Sequence, residues 1–141
     1  MFGHPLHPAV VHFPLALLLS ATFADLVWVA GLTTDTHIGA ILMSGGLAAG
    51  LIAMGAGMFD LTRLDQALVP HAVRHMLAVG LAWCGYGVAL YLRRDSLSAS
   101  ASLGSATIAL SLASALFLAF GGWLGGRLVY TFGAGVSRTR P

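Results

Sequence analysis

Four apolar stretches, at approximately residues 9–32, 38–59, 71–92 and 103–123, constrain this chain more than any other feature. About 20 helical residues cross the hydrocarbon of a bilayer, so each stretch is long enough to span it. Composition agrees, with 57% apolar and 9% charged residues and a mean hydropathy of +0.86, far from a soluble profile. The expected fold class is therefore all-α: an integral membrane four-helix bundle forming a single transmembrane domain, with both termini on the same side. Met1 to Val11 contains no lysine or arginine and the following run is long, so the first helix is expected to be retained instead of cleaved as a signal peptide.

The charge is carried by seven arginines and five aspartates. Arg63, Arg74, Arg127, Arg138 and Arg140 fall on the side of the termini, and Arg93 and Arg94 on the other. The positive-inside rule then puts the termini of this multi-pass protein in the cytoplasm. Arginines spread over loops and helix ends are orientation signals, not a nucleic-acid patch. Cys84 is the single cysteine, which excludes an intramolecular disulfide and a thiolate cage; it is expected as a small core residue. There is no phosphate loop, GxSxG elbow, HExxH motif or catalytic carboxylate pair, so no hydrolase or nucleotide site is expected.

Histidine is the residue that needs a reason. HPLHPAVVHFP, His4 to Pro14, holds three of the six histidines at the mouth of the first span, and HAVRH opens the third with His71 and His75. Either Pro8 starts the first helix and Pro14 kinks it, or the regular helix starts near Pro14. Residues 71 and 75 lie one turn apart on one face, whereas 7 and 12 diverge by about 140° in a straight helix. The first and third spans enter from the same side, a faint twofold repetition that brings His4, His7, His12, His71 and His75 to one end and leaves His37 at the other. Between them, Gly46, Gly50, Ala53 and Gly57 give the second span a small-residue groove for a helix or a flat ligand.

Three readings follow. In the first, the protein binds haem b and carries electrons without transforming a substrate. His12 and His75 are the expected axial ligands, His7 and His71 a second pair or hydrogen-bond partners, and Arg63, Arg74 and Arg127 the cations for the propionates. In the second, the same histidines with Asp60 hold a zinc, copper or iron ion. In the third, the chain is a cofactor-free structural or assembly subunit, and its small-residue faces equally suit a homodimer. Asp25, well inside the first span, is a functional candidate by default; a structural pairing with Tyr86, Tyr91 or Arg93 competes with a proton-relay role. Asp60 is expected to pair with Arg63, Arg74 or Arg127.

The motifs HPLHPAVVHFPLALL, GMFDLTR, HAVRH and GGRLVYTFGAGV, with Asp25 in the first helix, resemble in order those of the domain-of-unknown-function 2231 family of small bacterial membrane proteins. The resemblance implies a four-helix module, sometimes joined to a Rieske-type iron–sulfur domain, and hence a redox setting. This chain has no Rieske cysteines, so electrons would pass to a separate partner such as a Rieske-type or cytochrome protein. The same resemblance marks His7, His12, Asp25, Asp60, His75, Arg127 and Tyr130 as positions to watch.

Overall fold

The computed structural model describes residues 7–94 and 102–135. His4, Arg138, Arg140 and most of the Ser/Ala-rich link before the last span lie outside them. Among the described residues the chain is helical without strands: α1 (His7–Val10), α2 (His12–Val29), α3 (His37–Leu61), a 3-10 turn (Gln66–Leu68), α4 (Val69–Leu92) and α5 (Ser105–Tyr130). Taken together, α1 with α2, α3, the 3-10 turn with α4, and α5 are four helices long and apolar enough to cross a membrane. The chain is thus a multi-pass membrane protein.

The local sequence explains the boundaries. The first span starts beside Pro8: Val11 keeps helical backbone angles (φ −63°, ψ −23°), its N–H donates to the His7 carbonyl at 3.0 Å and its carbonyl accepts the Leu15 N–H at 3.3 Å, so α1 runs on into α2 with Pro14 inside the span. Asp35 stops the chain before α3 by accepting the His37 N–H at 2.7 Å. Asp65 accepts the Ala67 N–H at 2.9 Å, and Pro70 follows in the first turn of α4. The fourth span differs most from expectation, running on to Tyr130 through Gly121, Gly122, Gly125 and Gly126. In lipid a backbone gains by keeping its own hydrogen bonds, and two of these glycines are points of close approach to α4: a Cβ at Gly121 would lie 2.6 Å from Val79. The helix closes with bonds from the Phe132, Gly133 and Ala134 N–H groups to the carbonyls of Arg127, Val129 and Leu128, with Gly133 at a φ of +69°.

Packing is inverted relative to a protein in water. The core is lined by small or hydroxyl side chains, Ala21, Ala82, Ala89, Thr22, Ser111 and Ser114, around Leu18, Met43 and Tyr86, while Phe13 and Leu116 are 68% and 73% exposed. Lipid tails offer Leu and Phe as apolar a setting as any core, so close helix approach and internal hydrogen bonds hold the bundle instead. The buried stripe of α4 runs through Ala78, Ala82, Tyr86 and Ala89. Cys84 lies off that stripe and is exposed, not in the core.

Helix α2 packs chiefly on α3, and α4 on α5, giving two hairpins side by side.

Candidate functional site

His7 is seated entirely by α3. Its backbone N–H donates to Asp60 Oδ2 at 2.9 Å, placing a carboxylate at the positive end of α1, and its Nδ1–H donates to the Ala53 carbonyl at 2.8 Å. The ring lies against Gly57, where a Cβ would stand 3.2 Å from Nδ1. A carbonyl can only accept, so Nδ1 carries the proton and the lone pair of the neutral ring is on Nε2. Residues 53, 57 and 60 share one face of α3, which is why a single helix makes all three contacts.

His75 repeats the arrangement on α5. Its Nδ1–H donates to the Gly121 carbonyl at 2.7 Å, and a Cβ at Gly125 would stand 3.0 Å from the ring. The two rings face each other with centroids 5.8 Å apart and planes at 77°.

The two seats obey one register. His7 to His75, Ala53 to Gly121 and Gly57 to Gly125 are each the same step along the chain (75 − 7 = 121 − 53 = 125 − 57 = 68). Asp25 to Arg93 is again that step (93 − 25 = 68), and these two are also paired. The hairpins are therefore parallel repeats about an axis along the membrane normal, with one pair of equivalent residues meeting near each end of it. Eighteen residues separate His7 from Asp25, about 27 Å of helix and close to the hydrocarbon thickness.

At the far end Arg93 grips Asp25 with both terminal nitrogens, Nη1 to Oδ1 at 3.0 Å and Nη2 to Oδ2 at 2.7 Å, with both side chains almost wholly buried. Such a fork is the strong form of the interaction. Beside it, Thr22 Oγ1 meets Tyr86 Oη at 2.7 Å and Ser111 Oγ at 3.0 Å, so three spans share one hydroxyl cluster. Gly39 closes the pair from the second span, since a Cβ there would lie 2.8 Å from both Arg93 Nη1 and Asp25 Oδ1. Gly39→Ala is expected to cost about 1–3 kcal/mol by overpacking, read as a lowered melting temperature in detergent.

The remaining candidates make no described contact with the facing rings. His12, paired with His75 in the sequence reading, is exposed; it lies about 140° around the helix from His7, which shares the inward face with Pro14, Leu18 and Asp25 and is the ring that meets His75. His71 stacks on Phe132 with centroids 4.3 Å apart. Arg63 lies over the Phe59 ring at 4.3 Å, Arg127 over Trp123 at 5.0 Å, and Arg74 is exposed next to His71. Asp60 accepts the His7 backbone N–H. Sequence reasoning missed the two carbonyls, Gly125, Gly39 and the hydroxyls of Thr22 and Ser111. The step of 68 residues was the signal that could have found the first two.

HPLHP, GMFDLTR, HAVRH and GGRLVYTFGAGV thus supply the described residues at one end of the bundle: His7, Gly57 with Asp60, His71 with His75, and Gly125 with Phe132. A family model described as "Predicted membrane protein (DUF2231)" matches residues 3–138. The chain belongs to the DUF2231 family. Neither a curated protein nor a solved structure matches it. In this DUF2231 chain the matched region contains both histidine seats.

Proposed function

We propose that this membrane protein carries electrons on a haem b held by His7 and His75, in a bacterial inner membrane with the histidine end facing the cytoplasm. The observation that supports the reading is the pair of facing imidazoles, each fixed by an Nδ1–H bond to a carbonyl so that Nε2 is left as the ligating atom. Ligating histidines are oriented in this way by the partner of their other nitrogen. With ring centres 5.8 Å apart, the two imidazoles would be close enough to be held on one iron after a small adjustment.

Ligand number favours haem over a bare ion. A porphyrin brings four nitrogens of its own, whereas zinc or copper takes three or four ligands from the protein. Among the described residues no group of three or more His, Cys, Asp or Glu converges. Haem would supply one-electron chemistry, and the chain's own residues would bind it and set its ligand field. Arg63 is the cation this reading assigns to a propionate. Electrons would then pass to a separate redox protein, of the Rieske or cytochrome type.

Titration of detergent-purified protein with haemin tests the reading. Saturation at one equivalent, with a sharp Soret band and split bands on reduction, is expected. Failure to saturate, or stoichiometric zinc, copper or iron in protein that takes up no haemin, overturns it.

A further inference from the structure

A second site lies at the histidine end, between α4 and α5, and none of its residues touches the facing imidazoles by any contact described above. His71, Arg74, Leu124, Arg127 and Phe132 line a cavity of about 60 Å³. The Nδ1 of His71 is buried with no hydrogen-bond partner among the described residues, a costly condition for a polar atom. Arg74 and Arg127 bring two guanidinium groups to the same cup, and Arg127 is steadied by cation–π contacts with Trp123 at 5.0 Å and Phe132 at 5.9 Å. Two guanidinium groups lining one cavity are complementary to an anion with several oxygens, as a phosphate is.

The cup opens onto hydrocarbon. It shares Arg74 and Leu124 with a larger groove of about 290 Å³ lined by Leu77, Leu81, Phe117 and Phe120. From residue 71 to residue 81 is about 15 Å of helix, half the hydrocarbon core. A polar cup at the membrane edge, continued by an apolar groove one leaflet long, has the amphipathic shape of a lipid. The two guanidinium groups belong to one repeat only, since at the step of 68 residues Arg74 and Arg127 correspond to Leu6 and Phe59 in the sequence.

We propose that the cup formed by His71, Arg74 and Arg127 binds the phosphate of an anionic membrane phospholipid whose acyl chain lies along the α4–α5 groove. The inference is independent of the haem reading. Its test is native mass spectrometry of delipidated, detergent-purified protein mixed with phosphatidylglycerol, phosphatidylcholine or inorganic phosphate. Phosphatidylglycerol is expected to bind at least about tenfold more tightly than phosphatidylcholine. At about fivefold per surface arginine, Arg74→Ala with Arg127→Ala should weaken it by about 25-fold. Leu81→Trp, which fills the groove from an exposed position, should displace the phospholipid as well, while circular dichroism confirms that both variants keep their helices. Equal binding of the two lipids, or a preference that survives loss of both arginines, overturns the proposal. Binding of inorganic phosphate together with indifference of the phospholipid to Leu81→Trp identifies a free-anion site and overturns it too.

Discussion

Asp25→Ala is expected to destabilise the bundle by about 3–5 kcal/mol, the cost of leaving one partner of a buried ion pair uncompensated. The guanidinium of Arg93 is fully buried and already has an Nε without a partner among the described residues, so it has no substitute for the lost carboxylate. Arg93→Ala should cost less, because a stranded carboxyl can be neutralised by taking up a proton whereas a guanidinium stays charged. The internal register supplies a stricter check. Asp25 and Arg93 occupy equivalent positions of the two repeats, so exchanging them, Asp25→Arg with Arg93→Asp, keeps both charges at the same meeting point of the first and third spans. The double variant should recover at least half of the melting temperature lost by Asp25→Ala in detergent. A double variant no more stable than the worse single one would contradict the symmetric placement of the pair.

The same register explains what the sequence did and did not disclose. Spans were legible because lipid demands long apolar helices and the links between them are short and polar. Asp25 was legible as a group needing a partner, since a carboxylate within a span is costly when unpaired. Its choice of Arg93 over Tyr86 or Tyr91 depends on the depth at which α4 ends, which apolar runs define only to within a turn. Convergence of the histidines at one end was legible from the parallel entry of the first and third spans. Which ring meets His75 was not, because His7 and His12 lie about 140° apart on a straight helix and the choice turns on where that helix begins. A continuous helix from Pro8 and a helix starting at Pro14 were both consistent with that segment, and the structure has the first, with Val11 hydrogen-bonded to His7 and Leu15 along the helix. Glycines loosen a helix in water, but in this membrane bundle Gly121 and Gly125 are where α4 comes close enough for His75 to reach a backbone carbonyl.

His75→Ala is expected to have the largest functional effect, loss of haem binding with retention of the helices. A half-buried imidazole makes one hydrogen bond to Gly121, so its removal costs about 1 kcal/mol of stability, whereas it removes one of two ligands outright. His7→Ala should act in the same way. Gly57→Val and Gly125→Val should do so indirectly, since each places carbon atoms where a ring now lies; a Cβ alone would stand 3.2 Å and 3.0 Å from the two rings. These valine variants keep both histidines, so they separate the position of the rings from their mere presence. His12→Ala, at an exposed site, should leave binding unchanged.

The most direct measurement is the absorption spectrum, oxidised and reduced, of the haemin-loaded protein beside those of His7→Ala, His75→Ala and His12→Ala. With His7 and His75 as the two axial ligands, the parent and His12→Ala give the same sharp low-spin bands, and each of the other two loses them while its helical circular dichroism persists. A low-spin spectrum that survives in either His7→Ala or His75→Ala, or that disappears in His12→Ala alone, would contradict the assignment.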